Sequence, residues 1–373
     1  MRTNLSSQIT LNRVSTKYYK PENAVERSVL TRFEKVPTDI YESVDEGVCH
    51  IANEIAGKIQ DRQREGKFFV IGAGTGASLR PLYAELVRKH KDEGLSFRNV
   101  VIFNLYEYYP LAPESAGSSF AQLKDLFVDQ IDIDKQNVFT IDGSIPQEAI
   151  LEYCRLYEQR LQTFGGMDIV LMGIGREGNI AMNEPGSNLN SPTRLILMNA
   201  TSKAEAGHNL GIDNLPPCSI TMGVSTIMGA RKIYLLAGGE NKADIIHKAV
   251  EEKVSDTLPA SYLQMHNNVN VCIDLSAAAH LTRIQRPWLV TNCEWNDKLI
   301  RSAIVWLCLR LNKPILKLTN KDYNENGLSE LLALYGSAYN VNIKIFNDLQ
   351  HTITGWPGGK PNADDTYRPE RAK

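Results

Sequence analysis

Short apolar runs alternate with amphipathic stretches over most of the chain. Where apolar residues recur every three or four positions, as in residues 44–59 and 150–164, the pattern predicts helices. Apolar runs of four or five residues between such stretches are typical of buried strands. They occupy residues 68–71, 100–103, 138–141, 168–172, 195–198, 232–236 and 269–273. This alternation predicts an α/β fold with a mainly parallel sheet covered by helices on both faces, in which ligands bind beyond the carboxyl ends of the strands.

The pattern changes towards both ends of the chain. The first residues are polar and aperiodic, and the last residues are rich in glycine, proline and charge. After residue 285, a strongly apolar helical stretch at 299–311 and a strand-like run at 314–318 indicate a separate segment. The predicted divisions are an arm at 1–25, a main α/β domain at 26–285, a smaller α/β extension at 286–350 and a linker-like tail at 351–373.

The charges of the 373-residue chain nearly cancel, since 41 Lys and Arg residues face 43 Asp and Glu residues. Without a net positive field, the chain is not expected to bind nucleic acid or an anionic membrane. No stretch approaches the roughly 18 apolar residues of a membrane span, and the N-terminus lacks the apolar core of a signal peptide, so a cytoplasmic protein is expected. The cysteines and histidines are scattered, without C-x-x-C or H-E-x-x-H spacing, so no metal site is predicted.

Two glycine-rich segments follow predicted strands. Gly72-x-Gly74-x-x-Ala77 fits a permissive dinucleotide-binding fingerprint, and Gly173-x-Gly175-x-x-Gly178 fits the strict form. The fingerprint also needs a long helix after its last glycine and an acidic residue about 20 positions further on. The second segment is followed by Pro185 within seven residues, and the first lacks a suitably placed acidic residue. Nicotinamide binding is therefore disfavoured, and no cofactor is predicted.

The turn formed by Thr75, Gly76, Ala77 and Ser78 offers bare backbone N–H groups and two hydroxyls at the start of a predicted helix. Such a turn suits a phosphate group. The alternative has about equal weight: the glycines only permit close packing of the helix on the sheet. A second strand-to-helix turn ends in Lys242, which supports a phosphate site, although a single lysine is more often a solvated surface residue.

Three glutamates follow the ends of predicted strands and are candidates for acid–base chemistry. Glu107 follows the second strand, and Glu177 and Glu184 follow the fourth. Strand ends that face one crevice would bring the three carboxylates together, where repulsion and burial raise the pKa of a carboxyl group. For any one of them alone, a helix cap or a surface position is the more common role.

Several motifs occur in a consistent order between about residues 30 and 283. They are Thr75-Gly-Ala-Ser78 with Tyr83, Phe103-Asn-x-x-Glu-Tyr108, Gly173-x-Gly175 with Gly178-x-Ile180, Asn183-Glu-Pro185, Thr193-Arg194, Met222-Gly-Val-x-Thr226 and Gly239-x-x-Lys242-Ala. This set resembles the glucosamine-6-phosphate deaminase (isomerase) family. The Asn-Glu-Pro run favours the deaminases over the related phosphogluconolactonases.

The resemblance implies a Rossmann-like three-layer sandwich without nucleotide, and a phosphorylated sugar, glucosamine 6-phosphate or a relative, as the ligand. Members of the family open the sugar ring, move a proton from C2 to C1 and release ammonia. Thr75 to Ser78 and Lys242 would hold the phosphate, and Glu184 would belong to the ring-opening group. A homo-oligomer is also compatible with the family. The stretch from Trp356 resembles a connector in longer members with a deacetylase-like domain, and the chain ends before such a domain would begin.

The chain departs from the family pattern at several functional positions. Tyr106 stands where the family has the aspartate that removes the C2 proton, and Asn179 stands where it has the ring-opening histidine. Glu177 replaces a neighbouring aspartate, and His208 replaces an arginine that grips phosphate. At an allosteric phosphate site, Ile196 replaces a lysine, whereas Ser187 and Arg194 are kept.

These replacements leave two hypotheses about function. The first is an enzyme of this family with rearranged acid–base groups, acting on glucosamine 6-phosphate or a related phosphosugar, with Glu177 or Glu107 as the substitute base. Its deaminase activity is expected to be weak, because tyrosine has a pKa of about 10 and asparagine cannot carry a proton. The second is a catalytically silent module that binds a phosphosugar as a sensor or regulator.

Overall fold

The computed structural model describes residues 14–210 and 215–355, and the chain divides into two compact units, Met1–Ile284 and Gln285–Lys373. All strands of the described residues lie in the first unit. They are β1 Thr38–Tyr41, β2 Phe69–Ala73, β3 Val100–Asn104, β4 Tyr106–Tyr109, β5 Val138–Phe139, β6 Ile169–Met172, β7 Arg194–Leu197, β8 Cys218–Thr221, β9 Ile233–Ala237 and β10 Val269–Asp274.

The described α-helices occur in both units. They are α1 Ala24–Leu30, α2 Val44–Arg64, α3 Arg80–Glu93, α4 Ser119–Leu126, α5 Ile150–Thr163, α6 Ala200–Leu210, α7 Val224–Met228, α8 Ala243–Glu251, α9 Thr282–Gln285, α10 Asp297–Leu311, α11 Asn320–Glu325, α12 Ser329–Tyr335 and α13 Ala338–Gly355. No helix within the described ranges is long and apolar enough to cross a membrane.

Seven of the described strands form one sheet in the order β1-β10-β9-β6-β2-β3-β5, and every neighbouring pair is parallel. Strands β2, β3, β6 and β9 are buried along their whole length, as expected for a parallel sheet covered on both faces. Two apolar clusters pack against the sheet. One contains residues of α2 and α3 and the other residues of α5 and α8. The predicted α/β fold with a mainly parallel sheet is confirmed.

A second, three-stranded antiparallel sheet in the order β4-β8-β7 is the part of the first unit that the apolar pattern does not reveal. The run at 195–198 is a strand, but it pairs with β8 in this sheet and not in the parallel sheet. Strand β4 has the sequence Tyr-Glu-Tyr-Tyr, in which a buried glutamate interrupts the apolar run. Its carboxylate receives hydrogen bonds, so the polar residue is tolerated in the interior.

The predicted N-terminal arm is wrong for the residues that the structure describes. Residues Thr16–Tyr18 form a 3-10 turn, and the rings of Tyr18 and Tyr19 are buried. Tyr19 belongs to the apolar cluster on one face of the sheet. Two aromatic residues are enough to hold this polar segment against the core, because each ring removes a large apolar surface from water. Residues 1–13 lie outside the described ranges.

The second unit is helical and not α/β within the residues described. The run predicted as a strand at 314–318 is a 3-10 turn, Ile315–Lys317. Ile315 of this turn packs with α10 to α13 around a core that includes Trp288, Ile304 and Tyr323, and Leu316 is exposed. A lone strand has no partner for its backbone groups, whereas a 3-10 turn satisfies some of them locally. Helix α13 continues to Gly355, five residues beyond the predicted start of the tail, and residues 356–373 lie outside the described ranges.

Candidate active site

A cavity of about 580 Å³ opens at the carboxyl ends of four adjacent strands of the parallel sheet. Its walls include the segments that follow β2, β6 and β9, and Asp274 at the end of β10. Because all these strands run in the same direction, their ends meet at one edge of the sheet. The cavity therefore lies where the sequence pattern predicts ligand binding.

The turn after β2 forms one end of the cavity with Gly76, Ala77 and Ser78. It leads into a 3-10 turn, Ala77–Leu79, and then into α3. The N–H groups of the turn therefore lie at the start of a helix, where backbone N–H groups have no partner within the helix. Thr75 is buried, and its Oγ1 lies 2.8 Å from Ser119 Oγ. On the facing segment, a Cβ added to Gly173 would lie 2.8 Å from Ser78 Oγ. Glycine there permits the close approach of the two segments.

Lys242 reaches the same cavity from the turn after β9. Its Nζ donates to the backbone oxygen of Ile174 over 2.8 Å and to Glu205 Oε1 over 2.7 Å. Gly239 in this turn has φ +89°, which favours glycine, and its N–H donates to the carboxylate of Asp274. His208 is exposed and also lines the cavity. The structure thus brings Lys242, His208 and the Thr75–Ser78 turn to one cavity.

Tyr106 lines the cavity from β4. Its hydroxyl lies 2.9 Å from Thr75 Oγ1, and its ring is buried. Burial raises the pKa of Tyr106 above its usual value of 10, and the hydrogen bond with Thr75 opposes this change. The phenol therefore stays neutral near pH 7 and can donate or accept a hydrogen bond, but it is a weak base.

Asn179 lines the cavity from the segment that follows β6. Its side chain is buried, and its Oδ1 has no hydrogen-bond partner among the residues that the structure describes. A Cβ on Gly175 would lie 1.8 Å from this oxygen, so the glycine makes room for the amide. An amide can orient a ligand through hydrogen bonds, but it cannot transfer a proton as an imidazole does.

Glu177 and Glu184 lie together beside a second, more open depression that also includes Leu197 and Thr257. Asn199 joins them, because its Nδ2 donates to Oε2 of both glutamates. Burial raises the pKa of Glu184, and the neighbouring charge of Glu177 adds to the rise. The hydroxyl of Ser202 opposes it by donating to Glu184 over 3.1 Å.

Glu107 is fully buried and lines neither of these two cavities. Its carboxylate accepts hydrogen bonds from the N–H groups of Tyr108, Ser119 and Phe120 and from the Ser118 hydroxyl. Burial raises the pKa of Glu107, although these bonds favour the charged form. Two of the donors begin α4, so the carboxylate caps this helix.

The prediction that three carboxylates lie together is therefore wrong for Glu107. Successive side chains of a strand point to opposite sides. Tyr106 and Tyr108 of β4 both line the large cavity, and Glu107 between them points away from it. Of the two residues considered as a substitute base, only Glu177 remains near a cavity.

The family model described as glucosamine-6-phosphate isomerases/6-phosphogluconolactonase matches residues 42–272. The chain belongs to this family. It is 37% identical over 229 residues to glucosamine-6-phosphate deaminase of Bacillus velezensis, and this match covers 61% of the chain and 94% of that protein. The family match includes every candidate site residue and all residues that line the two cavities except Tyr41, Ile273 and Asp274.

A glucosamine-6-phosphate deaminase-like protein of Bacteroides thetaiotaomicron is 70% identical over 374 residues. That match covers all of this chain, but the chain spans only 56% of the length of that relative. Among solved structures, a monomeric glucosamine-6-phosphate deaminase superposes with a TM-score of 0.62 at 32% identity over 65% of this chain and 99% of that one. A 6-phosphogluconolactonase from Trypanosoma brucei, at 19% identity over 66% of this chain and 99% of that one, and a TM-score of 0.54, shares the fold.

Among the residues of this family member, sequence reasoning did not identify Glu205 and Arg176 as part of the site. Both line the large cavity, and Glu205 is on α6 with Ser202 and His208. Ser202, Glu205 and His208 recur at intervals of three, so they lie on one side of a helix. That spacing was the available signal, but the short polar segment has no apolar stripe to reveal a helix.

Proposed function

We propose that the large cavity binds a phosphorylated amino sugar, with the phosphate at the Thr75–Ser78 turn and Lys242. The observation that carries the proposal is the convergence of this turn and Lys242 on one cavity at the carboxyl ends of the sheet. A turn rich in free N–H groups and a nearby lysine are a common arrangement for phosphate. The cavity volume of about 580 Å³ is within the range of small-molecule sites. Membership of a family whose relatives are named glucosamine-6-phosphate deaminases supports the choice of sugar.

We further propose that the protein is at best a feeble glucosamine-6-phosphate deaminase. Tyr106 has its pKa raised by burial, and Asn179 has no group that can transfer a proton. The loss of one general acid or base typically removes a factor of about 10² to 10⁴ in rate, and two such positions are changed here. Glu184 has a pKa raised by burial and accepts a hydrogen bond from Ser202, which lines the proposed sugar cavity, so it is the leading proton carrier for any residual ring opening.

The alternative of a catalytically silent phosphosugar sensor has one observation in its favour. The hydroxyl of Tyr106 is held by Thr75, the residue that begins the proposed phosphate turn. A ligand phosphate at this turn would therefore directly change the hydrogen bonding of the Tyr106 hydroxyl. Both functions share the binding step, and they differ only in whether ammonia is released.

Replacing Lys242 with alanine should weaken binding of glucosamine 6-phosphate by about 1.5 to 3 kcal/mol, the usual worth of a charged hydrogen bond. Isothermal titration calorimetry measures the effect. Lys248→Ala is the matched control, because Lys248 is an exposed lysine on α8 that pairs with Asp244. Equal affinity of Lys242→Ala and the wild type would remove Lys242 from the phosphate site.

Raising the pH should not rescue the residual activity of the wild type. Burial raises the pKa of Tyr106 above 10, so less than about a tenth of it is phenolate at pH 9. Because the proposal gives Tyr106 no part in proton transfer, the rate of ammonia release, corrected for the uncatalysed reaction, is expected to change less than about threefold between pH 7 and 9. A tenfold increase per pH unit over this range would instead identify the Tyr106 phenolate as the base.

A further inference from the structure

Lys242 is already paired with a carboxylate from α6. Its Nζ lies 2.7 Å from Glu205 Oε1, and the two side chains are only 15% and 19% exposed. This degree of burial reduces the screening of the ion pair by solvent. A phosphate group that approaches Lys242 therefore meets a charge that is already neutralised.

Glu205 also contacts Arg176, another basic residue that lines the cavity. Its Oε2 accepts the backbone N–H of Arg176 over 3.1 Å, and Oε1 lies 3.9 Å from Arg176 Nε. Both oxygens of the carboxylate thus interact with groups that would otherwise be available to an anion. The side chain is held in place from both sides and does not extend freely into solvent.

We propose that Glu205 competes with the ligand phosphate for Lys242 and so sets the ligand concentration at which the cavity fills. The proposal rests on the proposed function, because it takes the phosphate to bind beside Lys242. A phosphate dianion must either displace the carboxylate or remain next to a like charge. Both arrangements lower the affinity for phosphate.

The location of Glu205 on α6 supports this role. Ser202, Glu205 and His208 all line the cavity from this one helix. Ser202 donates to Glu184, so the helix contacts the acid–base pair at one point and the phosphate lysine at another. A ligand that releases the Glu205 side chain would therefore change the contacts of α6, the helix that also contacts Glu184.

The experiment compares the wild type with Glu205→Gln and Glu205→Ala. Each protein is titrated by calorimetry with inorganic phosphate and with glucosamine 6-phosphate. Glutamine keeps the shape of the side chain but has an amide that can form a new hydrogen bond with the ligand. Alanine has no such group, so tighter binding by Glu205→Ala excludes a new hydrogen bond as the cause. Glu240→Gln is the control, because Glu240 is an exposed glutamate two residues before Lys242 that does not line the cavity.

Removing the carboxylate should tighten binding of both ligands about tenfold in both Glu205 variants, as expected when a partly buried like charge is removed. The control should bind as the wild type does. An unchanged affinity in the Glu205 variants would overturn the inference, and a weaker affinity would show instead that the carboxylate contacts the ligand. In these two cases only the inference about Glu205 fails, provided that the wild type binds the phosphosugar and that Lys242→Ala weakens this binding. If no variant binds either ligand, the proposed function fails with it.

Discussion

The double variant Tyr106→Asp with Asn179→His should release ammonia from glucosamine 6-phosphate at least about 100 times faster than the wild type, the lower end of what a general acid or base contributes. Aspartate at 106 supplies a carboxylate at the cavity wall in place of a phenol whose pKa is raised by burial. Histidine at 179 supplies an imidazole where the buried amide oxygen has no partner in the described part of the chain. An enzyme-coupled ammonia assay measures the rate.

The single variants provide the internal control for this gain. Ring opening exposes the acidic C2 proton that the base removes, so the two groups act in sequence on one molecule. Residues that act as a unit give non-additive effects, and each single variant is therefore expected to gain much less than the pair. If the double variant binds glucosamine 6-phosphate and shows no gain in rate, the assignment of Tyr106 and Asn179 to proton transfer is wrong.

Replacing Arg283 with methionine should lower the free energy of unfolding of the first unit by about 3 to 5 kcal/mol, the usual effect of breaking a buried ion pair. Arg283 and Glu34 are each only 2% exposed, and Arg283 Nε lies 2.8 Å from Glu34 Oε1. Arg283 also donates to the backbone oxygen of Thr38, at the start of β1. Burial raises the pKa of Glu34 to about 7 despite the nearby Arg283, which shows how strongly the site disfavours charge.

Two further variants separate the buried pair from a general effect of charge. Arg64→Met removes a 77% exposed arginine that pairs with Asp61, and exposed pairs contribute about 1 kcal/mol or less. Glu34→Leu with Arg283→Met removes both charges, and the loss should then largely disappear. Urea unfolding measures all of them. A loss below about 1 kcal/mol in Arg283→Met, similar to that of Arg64→Met, would contradict the account.

Much of the fold follows from local pattern. The apolar runs at 68–71, 100–103 and 232–236 correspond closely to strands β2, β3 and β9, because buried parallel strands contain few polar residues. The small sheet could not be predicted in this way. In β4 a buried glutamate is stabilised by four hydrogen bonds from residues 108 and 118–120, and no pattern within the strand shows these contacts. A helix cap was one of the common roles considered for each glutamate, but no pattern in the sequence distinguished Glu107, which has that role, from Glu177 and Glu184.

The site was predictable where backbone geometry determines it. The turn at Thr75 to Ser78 and the turn before Lys242 both follow strands of one parallel sheet, so their convergence follows from topology. The pairing of Glu205 with Lys242 depends instead on how α6 crosses the cavity, and α6 has only a weak apolar pattern. Long-range contacts of this kind require the three-dimensional structure.

We propose that this family member binds an amino-sugar phosphate but turns it over poorly. The most direct test measures both properties on one preparation of the wild type, by calorimetric titration with glucosamine 6-phosphate and by ammonia release at saturating ligand. The account predicts saturable binding with turnover at least about 100 times slower than 1 per second, the lower end of common enzyme rates. Turnover at about 1 to 10³ per second, or no binding at all, would contradict it.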